Sequence, residues 1–407
     1  MAVQLHKFID YLLILLAFSL PFKAFTINFL PGILFFLWLL EGDLAHKWHT
    51  LRKEKIFWVF VALSGITLLS LLWSNSLYNG YLGASDDNAF AQWLTKFFYL
   101  PLVLPVMLTH MHKALYEKCV SAFLAAMFIS EILSYGIFFS WWHINAATPD
   151  NPTPFLHRIY YSIFLVMAIF FLTVRFWQEK RRYLRIFYLL FALASLVNLF
   201  INGGRTGQLA FLLTALFFVF SRYRITIKSV AVTTLLLGTI YLTAYLFSPV
   251  FQQRILESRD TLHKLSHHRL QTSFGGRIAI WEVALRVISE KPFTGAGPGD
   301  AKAEIARVQQ RDFPDRPFIN QFQHVHNQFL QIYLDSGVAG FMMLLALFYL
   351  LFRENFGILN VPEKIFAISL LLLFCMDTPL HLNVGVAYTL FFSGLFFGMQ
   401  AQKEQQQ

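Results

Sequence analysis

The residues best suited to chemistry fall in a few short stretches: N-G-G-R-T-G at 202–207, G-G-R-I-A-I-W at 275–281 and H-V-H-N-Q-F-L-Q-I-Y-L-D at 324–335. Arg205 and Arg277 each follow two glycines at the start of an apolar helical pattern. Glycine leaves the backbone open, so a phosphate could reach both the guanidinium and the first amides of the helix. Arginine suits a diphosphate because its planar fork gives bidentate, charge-assisted bonds and stays protonated. Turn capping or snorkelling to headgroups is the alternative for either arginine. His326, with His324 two residues before it, could act as general base or hydrogen-bond an incoming hydroxyl. An interfacial histidine bonding to headgroups or a helix end is the plainer reading. Gln328, Gln331 and Asp335 share one helix face, where polar groups line a cavity or fix helix packing. Trp281 could stack on a sugar or anchor its helix in headgroups, and anchoring is the preferred reading.

Other signals carry less. His263 and His267 have the spacing of a helical metal pair, but no acid completes a site, and a solvated basic face is expected. The run G-A-G-P-G at 295–299 reads as a turn, because no parallel strand precedes it. Glu131 and Asp377, within or near apolar runs, are read as internally paired structural acids. Cys119 and Cys375 are read as packing residues. The basic loops accompany no nucleic-acid motif, so no nucleic-acid partner is expected.

The elements that position these groups are membrane helices. The 407-residue chain is 57% hydrophobic and 14% charged, well short of the charge of a soluble domain. Continuous apolar runs exclude a transmembrane β-barrel, whose strands alternate. Twelve helices are expected, near 8–22, 25–40, 56–74, 90–109, 115–141, 157–177, 184–200, 206–221, 229–248, 327–352, 364–380 and 384–401. A cytoplasmic N-terminus gathers most Lys and Arg on the inner side and leaves only Lys23, Lys96, Arg158 and Arg205 in short outer connections. Residues 1–248 then form helices one to nine, 249–326 a long outer loop, and 327–407 helices ten to twelve with an inner tail, as one integral membrane domain. Within the loop, Ile278, Trp281, Leu285 and Ile288 predict an amphipathic helix, and Asp300 is placed to cap a second one through about Gln310. The loop is too small for an independent domain and must pack on the bundle. Arg205, Arg277 and His326 come from distant parts of the chain and fall on the same outer face.

The run R-I-A-I-W, the turn P-F-T-G-A-G-P-G and the stretch H-N-Q-F-L-Q-I-Y-L-D-S-G-V-A-G resemble the O-antigen ligase/polymerase superfamily of bacterial membrane glycosyltransferases. Asp335 stands where such proteins often have glutamate. The resemblance implies a GT-C-like helical fold in the bacterial inner membrane, with both termini cytoplasmic and the active site facing the periplasm. It implies an undecaprenyl-diphosphate-linked O-antigen donor in the membrane lipid and, for the ligase branch, a lipid A–core acceptor. One outer loop and no extra soluble region favour the ligase over a polymerase or a protein O-oligosaccharyltransferase. Under this reading Arg205 and Arg277 hold the diphosphate, and His326 or His324 orients or deprotonates the acceptor. Asn327, Gln331, Asp335 and Trp281 support or line the site, and neither metal nor cofactor is called for. A lipid-linked glycan transporter is the rival from another class. It would show charges spread through the bilayer and internal repeats.

Overall fold

A computed structural model describes residues 2–22, 25–74, 102–267, 269–353 and 361–406. The chain is an all-α polytopic membrane protein, and the described residues hold no named strand, only an isolated bridge between Thr148 and Asn151. In chain order the helices are α1 (Ala2–Ser19), α2 (Phe25–Leu40), α3 (Leu44–Leu51), α4 (Lys55–Ser70), α5 (Lys113–Phe138), α6 (Arg158–Gln178), α7 (Arg182–Ile201), α8 (Arg205–Arg222), α9 (Ile227–Phe247), α10 (Pro249–Ser266), α11 (Gly275–Glu290), α12 (Ala301–Asp312), α13 (Gln328–Arg353), α14 (Val361–Met376) and α15 (Asn383–Gln406). Residues 102–110 are also helical. Among the described residues, eight helices are long and apolar enough to cross a membrane, and Ile27–Leu40 and Arg205–Ser221 are shorter apolar helices. The expected span at 90–109 lies mostly outside the described residues.

The bundle is organised around α6, which buries every residue from Tyr160 to Leu172. A helix apolar on all sides belongs inside the protein rather than against lipid. Its neighbours meet it through aromatic contacts: Phe123 tilted on Phe164, Phe164 edge-on to Tyr388, and Phe171 stacked on Phe392. Lipid tails are as apolar as these side chains, so close packing rather than water exclusion holds the helices together. One close approach is where α8 crosses the start of α6. A Cβ on Gly204 or Gly207 would lie 2.6 or 2.3 Å from Ser162. That contact sets Arg205 beside Arg158.

The segment 249–326 departs from expectation in three ways. Residues 249–266, read as loop, form α10, begun by Ser248, whose side chain accepts from the Phe251 amide, and by Pro249 in the first turn. The buried stripe of α11 is Ala279, Ile280, Val283, Ala284, Val287 and Ile288, whereas Leu285 is 55% exposed. Ala279 and Ala284 add little to an apolar pattern, so the face they share with Ile280, Val283 and Val287 is faint in sequence. Asp300 does precede α12, but its side chain makes no capping bond. With Ile305, Val308, Ile319, Val325 and Leu334, the α11 stripe makes a small apolar core that joins the segment to α13.

The turn at 292–299 fits into a break in α13. Gly337 has φ 63° and ψ −161°, and a Cβ there would meet the Phe293 carbonyl at 2.0 Å. The Ala296 amide donates to Leu334 O at 2.6 Å and the Val338 amide to Pro292 O at 3.1 Å. The turn therefore satisfies backbone groups that the break would otherwise orphan, which membrane-embedded backbone requires.

Candidate active site

A cleft of about 690 Å³ opens between the start of α6, the α7–α8 turn, α10, the start of α11, the histidine loop and Asp377. It brings Arg205, Arg277, His324 and His326 together, with Arg158, His157 and Asp377. Each arginine stands at the first turn of its helix. The α7–α8 turn is tightened by Gly203 at φ 68° and by Asn202 Oδ1, which accepts from the Gly204 amide at 2.7 Å.

The arginines differ in their partners. Arg205 donates to Glu257 Oε2 at 2.9 Å and to Ser258 Oγ at 3.1 Å, and Arg254 shares the same Glu257 oxygen at 2.7 Å. Arg158 and Arg277 have no hydrogen bond or ion pair to side chains among the described residues. Burial lowers the affinity of Arg277 for its proton, partly offset by the field of Asp377. Two guanidiniums in one partly buried cleft, near Asp377 and Glu257 but paired directly with neither, are costly unless an anion joins them.

His326 Nδ1 lies 3.4 Å from Asp377 Oδ1. Burial raises the proton affinity of Asp377, but the bond from His326, the charge of His324 and the Thr378 amide outweigh it and hold the carboxyl below its usual range. An ionised Asp377 draws the imidazole proton to Nδ1 and leaves Nε2 as the basic nitrogen. His324 packs edge-on to His326 with ring centroids 4.3 Å apart. Burial first, and the neighbouring His326 next, bring its pKa down to about 4. His324 is thus neutral at physiological pH.

His326 has φ 50°, a conformation that non-glycine residues adopt at a cost of about 1–3 kcal/mol. Its neighbours fix it there. Trp281 Nε1 donates to Val325 O at 2.8 Å, and the Val325 amide donates to Gln331 Oε1 at 3.2 Å. Gln331 Nε2 donates to Asp335 Oδ1 at 3.1 Å, and Asp335 Oδ2 lies 3.0 Å from His381 Nε2. Asn327 Oδ1 accepts from the Phe329 and Leu330 amides and so caps α13. Asn327, Gln331, Asp335 and Trp281 therefore stand behind the histidine loop and outside the cleft wall. Trp281 ties α11 to that loop.

Sequence reasoning missed Asp377, read there as a structural acid, and Arg158, noted only as an outer charge. His324, His326 and Asp377 also offer ligand atoms within 4.8 Å of one another, as a metal site would. The guanidiniums in the same cleft oppose a dication and supply the positive charge it would bring.

A polytopic helical protein with an arginine-rich polar cleft at one end of its bundle is the class that fold and site define. Residues 189–345 match the family model described as O-antigen ligase, which bears out the resemblance over that stretch. The match includes Arg205, Arg277, His324 and His326 but neither Arg158 nor Asp377. An uncharacterized protein of Haemophilus influenzae is 26% identical over 201 residues, 47% of this chain and 50% of that protein. A provisionally named polysaccharide ligase of Rickettsia conorii is 27% identical over 191 residues, 46% of this chain and 42% of that protein. The aligned part of the chain thus spans half or less of the curated relatives it matches. These matches support a polysaccharide-ligase type of function.

Proposed function

We propose that the protein is an O-antigen ligase of the bacterial inner membrane. It moves a glycan from undecaprenyl diphosphate to a sugar hydroxyl of lipid A–core, with both termini cytoplasmic and the cleft facing the periplasm. The observation that carries this reading is the convergence of Arg158, Arg205 and Arg277 on the same cleft as the His326–Asp377 pair. The Lys/Arg asymmetry of the short loops supports the orientation.

His326 Nε2 takes the proton of the acceptor hydroxyl, whose oxygen attacks the anomeric carbon from the side opposite the diphosphate. The bond from that carbon to the phosphate oxygen breaks, and its electron pair leaves with the diphosphate. One displacement inverts the anomeric centre. Arg158 and Arg277 hold the departing charge at little cost, being otherwise unpaired, whereas Arg205 must loosen Glu257 to join them. Arginines in this role replace a divalent metal, so the transfer is metal-independent. Asp377 stabilises the imidazolium that forms.

Donor-limited kinetics test the assignment. Arg277→Ala and Arg158→Ala should each lower kcat/KM for donor about 10- to 100-fold, the worth of a charged hydrogen bond, with a smaller loss in Arg205→Ala. Full activity in both Arg205→Ala and Arg277→Ala would end the diphosphate assignment.

A further inference from the structure

A second cluster of ligating side chains lies at the opposite end of the bundle. It joins His6 and Asp10 of α1, Glu41 just before α3, Lys47 within α3, and His110 and His112 before α5. Helix α5 starts beside it at Lys113. Its far end reaches the cleft side, where Ser134 Oγ bonds to Pro152 O and lies 3.1 Å from Asn198 Oδ1 on the last turns of α7. The rise of an α-helix separates the two ends by roughly 30 Å.

Each candidate ligand is held from behind. Glu41 bridges the two imidazoles, with Oε1 2.6 Å from His6 Nδ1 and Oε2 2.9 Å from His110 Nε2. Lys47 Nζ, 2.7 Å from the same Oε2, balances the carboxylate. The rings stack with centroids 4.2 Å apart, and the second nitrogen of each is left for another partner. Asp10 Oδ2 faces His112 Nε2 at 3.5 Å. What remains is unsatisfied: His110 Nδ1, on a side chain 1% exposed, faces Asp10 Oδ1 at 3.5 Å, and neither atom has a hydrogen-bond partner. Ligand atoms of His6, Asp10 and His110 all lie within 4.8 Å of one another.

We infer that His6, Asp10 and His110 form a binding site for a divalent transition ion of the zinc class, clasping α1 to the start of α5. Nitrogen and carboxylate ligands suit such an ion, and bonds of about 2.0–2.2 Å around a tetrahedron place ligand atoms roughly 3.4 Å apart. The 3.5 Å between His110 Nδ1 and Asp10 Oδ1 matches that spacing. A carboxylate on the far nitrogen of each ligating histidine is the usual orienting arrangement, and here Glu41 serves both rings. His6, with its side chain 45% exposed, provides the entry path. Three protein ligands leave one position for water. The site is independent of the transfer chemistry proposed above.

The test uses tag-free full-length protein in detergent, stripped with a chelator and titrated with Co²⁺ as a visible probe, then with Zn²⁺. The expected result is one Co²⁺ per chain with the intense visible bands of a four-coordinate site, displaced by Zn²⁺ and raising the melting temperature. Asp10→Asn and His6→Gln, both close in shape to the native residues, should each weaken binding at least tenfold, while His326→Ala leaves it intact. Absence of a Co²⁺ signal, or binding that survives Asp10→Asn and His6→Gln, would overturn the proposal. Binding lost in His326→Ala instead would place the ion in the cleft.

Discussion

At the scale of single residues, the proposed transfer rests on a histidine held in an unfavourable backbone conformation beside an ionised carboxylate. His326→Ala should lower turnover about 10²–10⁴-fold, the usual worth of a positioned general base. Asp377→Asn should cost about 1.5–3 kcal/mol, roughly 10- to 100-fold, because the amide neither fixes the tautomer nor meets the imidazolium with charge. Because Asp377 titrates below the usual carboxylate range, activity should show no acid limb from this group at pH 5 and above; a pH–rate profile checks it. His324 gives a stability prediction of definite sign. Its pKa falls from 6.5 to about 4 on folding, so the unfolded chain binds the extra proton between those values. Acidification from pH 6.5 to 4 should lower the melting temperature of the wild type more than that of His324→Gln, and equal slopes in the two proteins would contradict the burial that causes the shift. The sequence disclosed Arg205, Arg277 and the two histidines, since glycines and polar types mark them locally. Asp377 was hidden: it follows an apolar helix like any interfacial acid, and its partner is 51 residues away.

At the scale of elements, three supports place the histidine loop: the α11 tryptophan, the polar face of α13 and the turn seated in the α13 break. Trp281→Phe keeps the ring but loses the bond to Val325 O, so kcat should fall severalfold while KM for donor stays, a split that separates positioning from binding. Gly337→Ala puts a side chain at positive φ and against the Phe293 carbonyl. It should destabilise the protein by about 2 kcal/mol or more, visible as a lower melting temperature in detergent. Helical periodicity made the spans legible, and the polar stripe Gln331–Asp335 marked the face that carries the network. The sequence reading failed where apolar content is low. Helix α10 is announced by Ser248 and Pro249, a good start signal, yet its charged surface hides it. The packing face of α11 interleaves Ala279 and Ala284 with Ile280, Val283, Val287 and Ile288, and the alanines hardly register as hydrophobicity. Gly337 could be seen as a glycine, but only the seated turn shows why no other residue fits.

At the scale of the whole molecule, composition alone establishes a helical membrane protein, and charge asymmetry alone suggests which end faces out. Neither shows that residues 158, 205, 277, 326 and 377 meet, because five separate helix ends must converge to build one cleft. The central claim is metal-independent transfer of a lipid-linked glycan to an acceptor lipid, driven by His326. Its most direct test reconstitutes purified protein in nanodiscs with undecaprenyl-diphosphate glycan, lipid A–core and EDTA, and no transmembrane gradient. Slower-migrating lipopolysaccharide bands should form with wild type and be lost with His326→Ala. Bands of equal strength from both proteins would remove His326 from the chemistry. Donor chains that lengthen without reaching lipid A–core would make the protein a polymerase, and no reaction from the wild type would contradict the account as a whole.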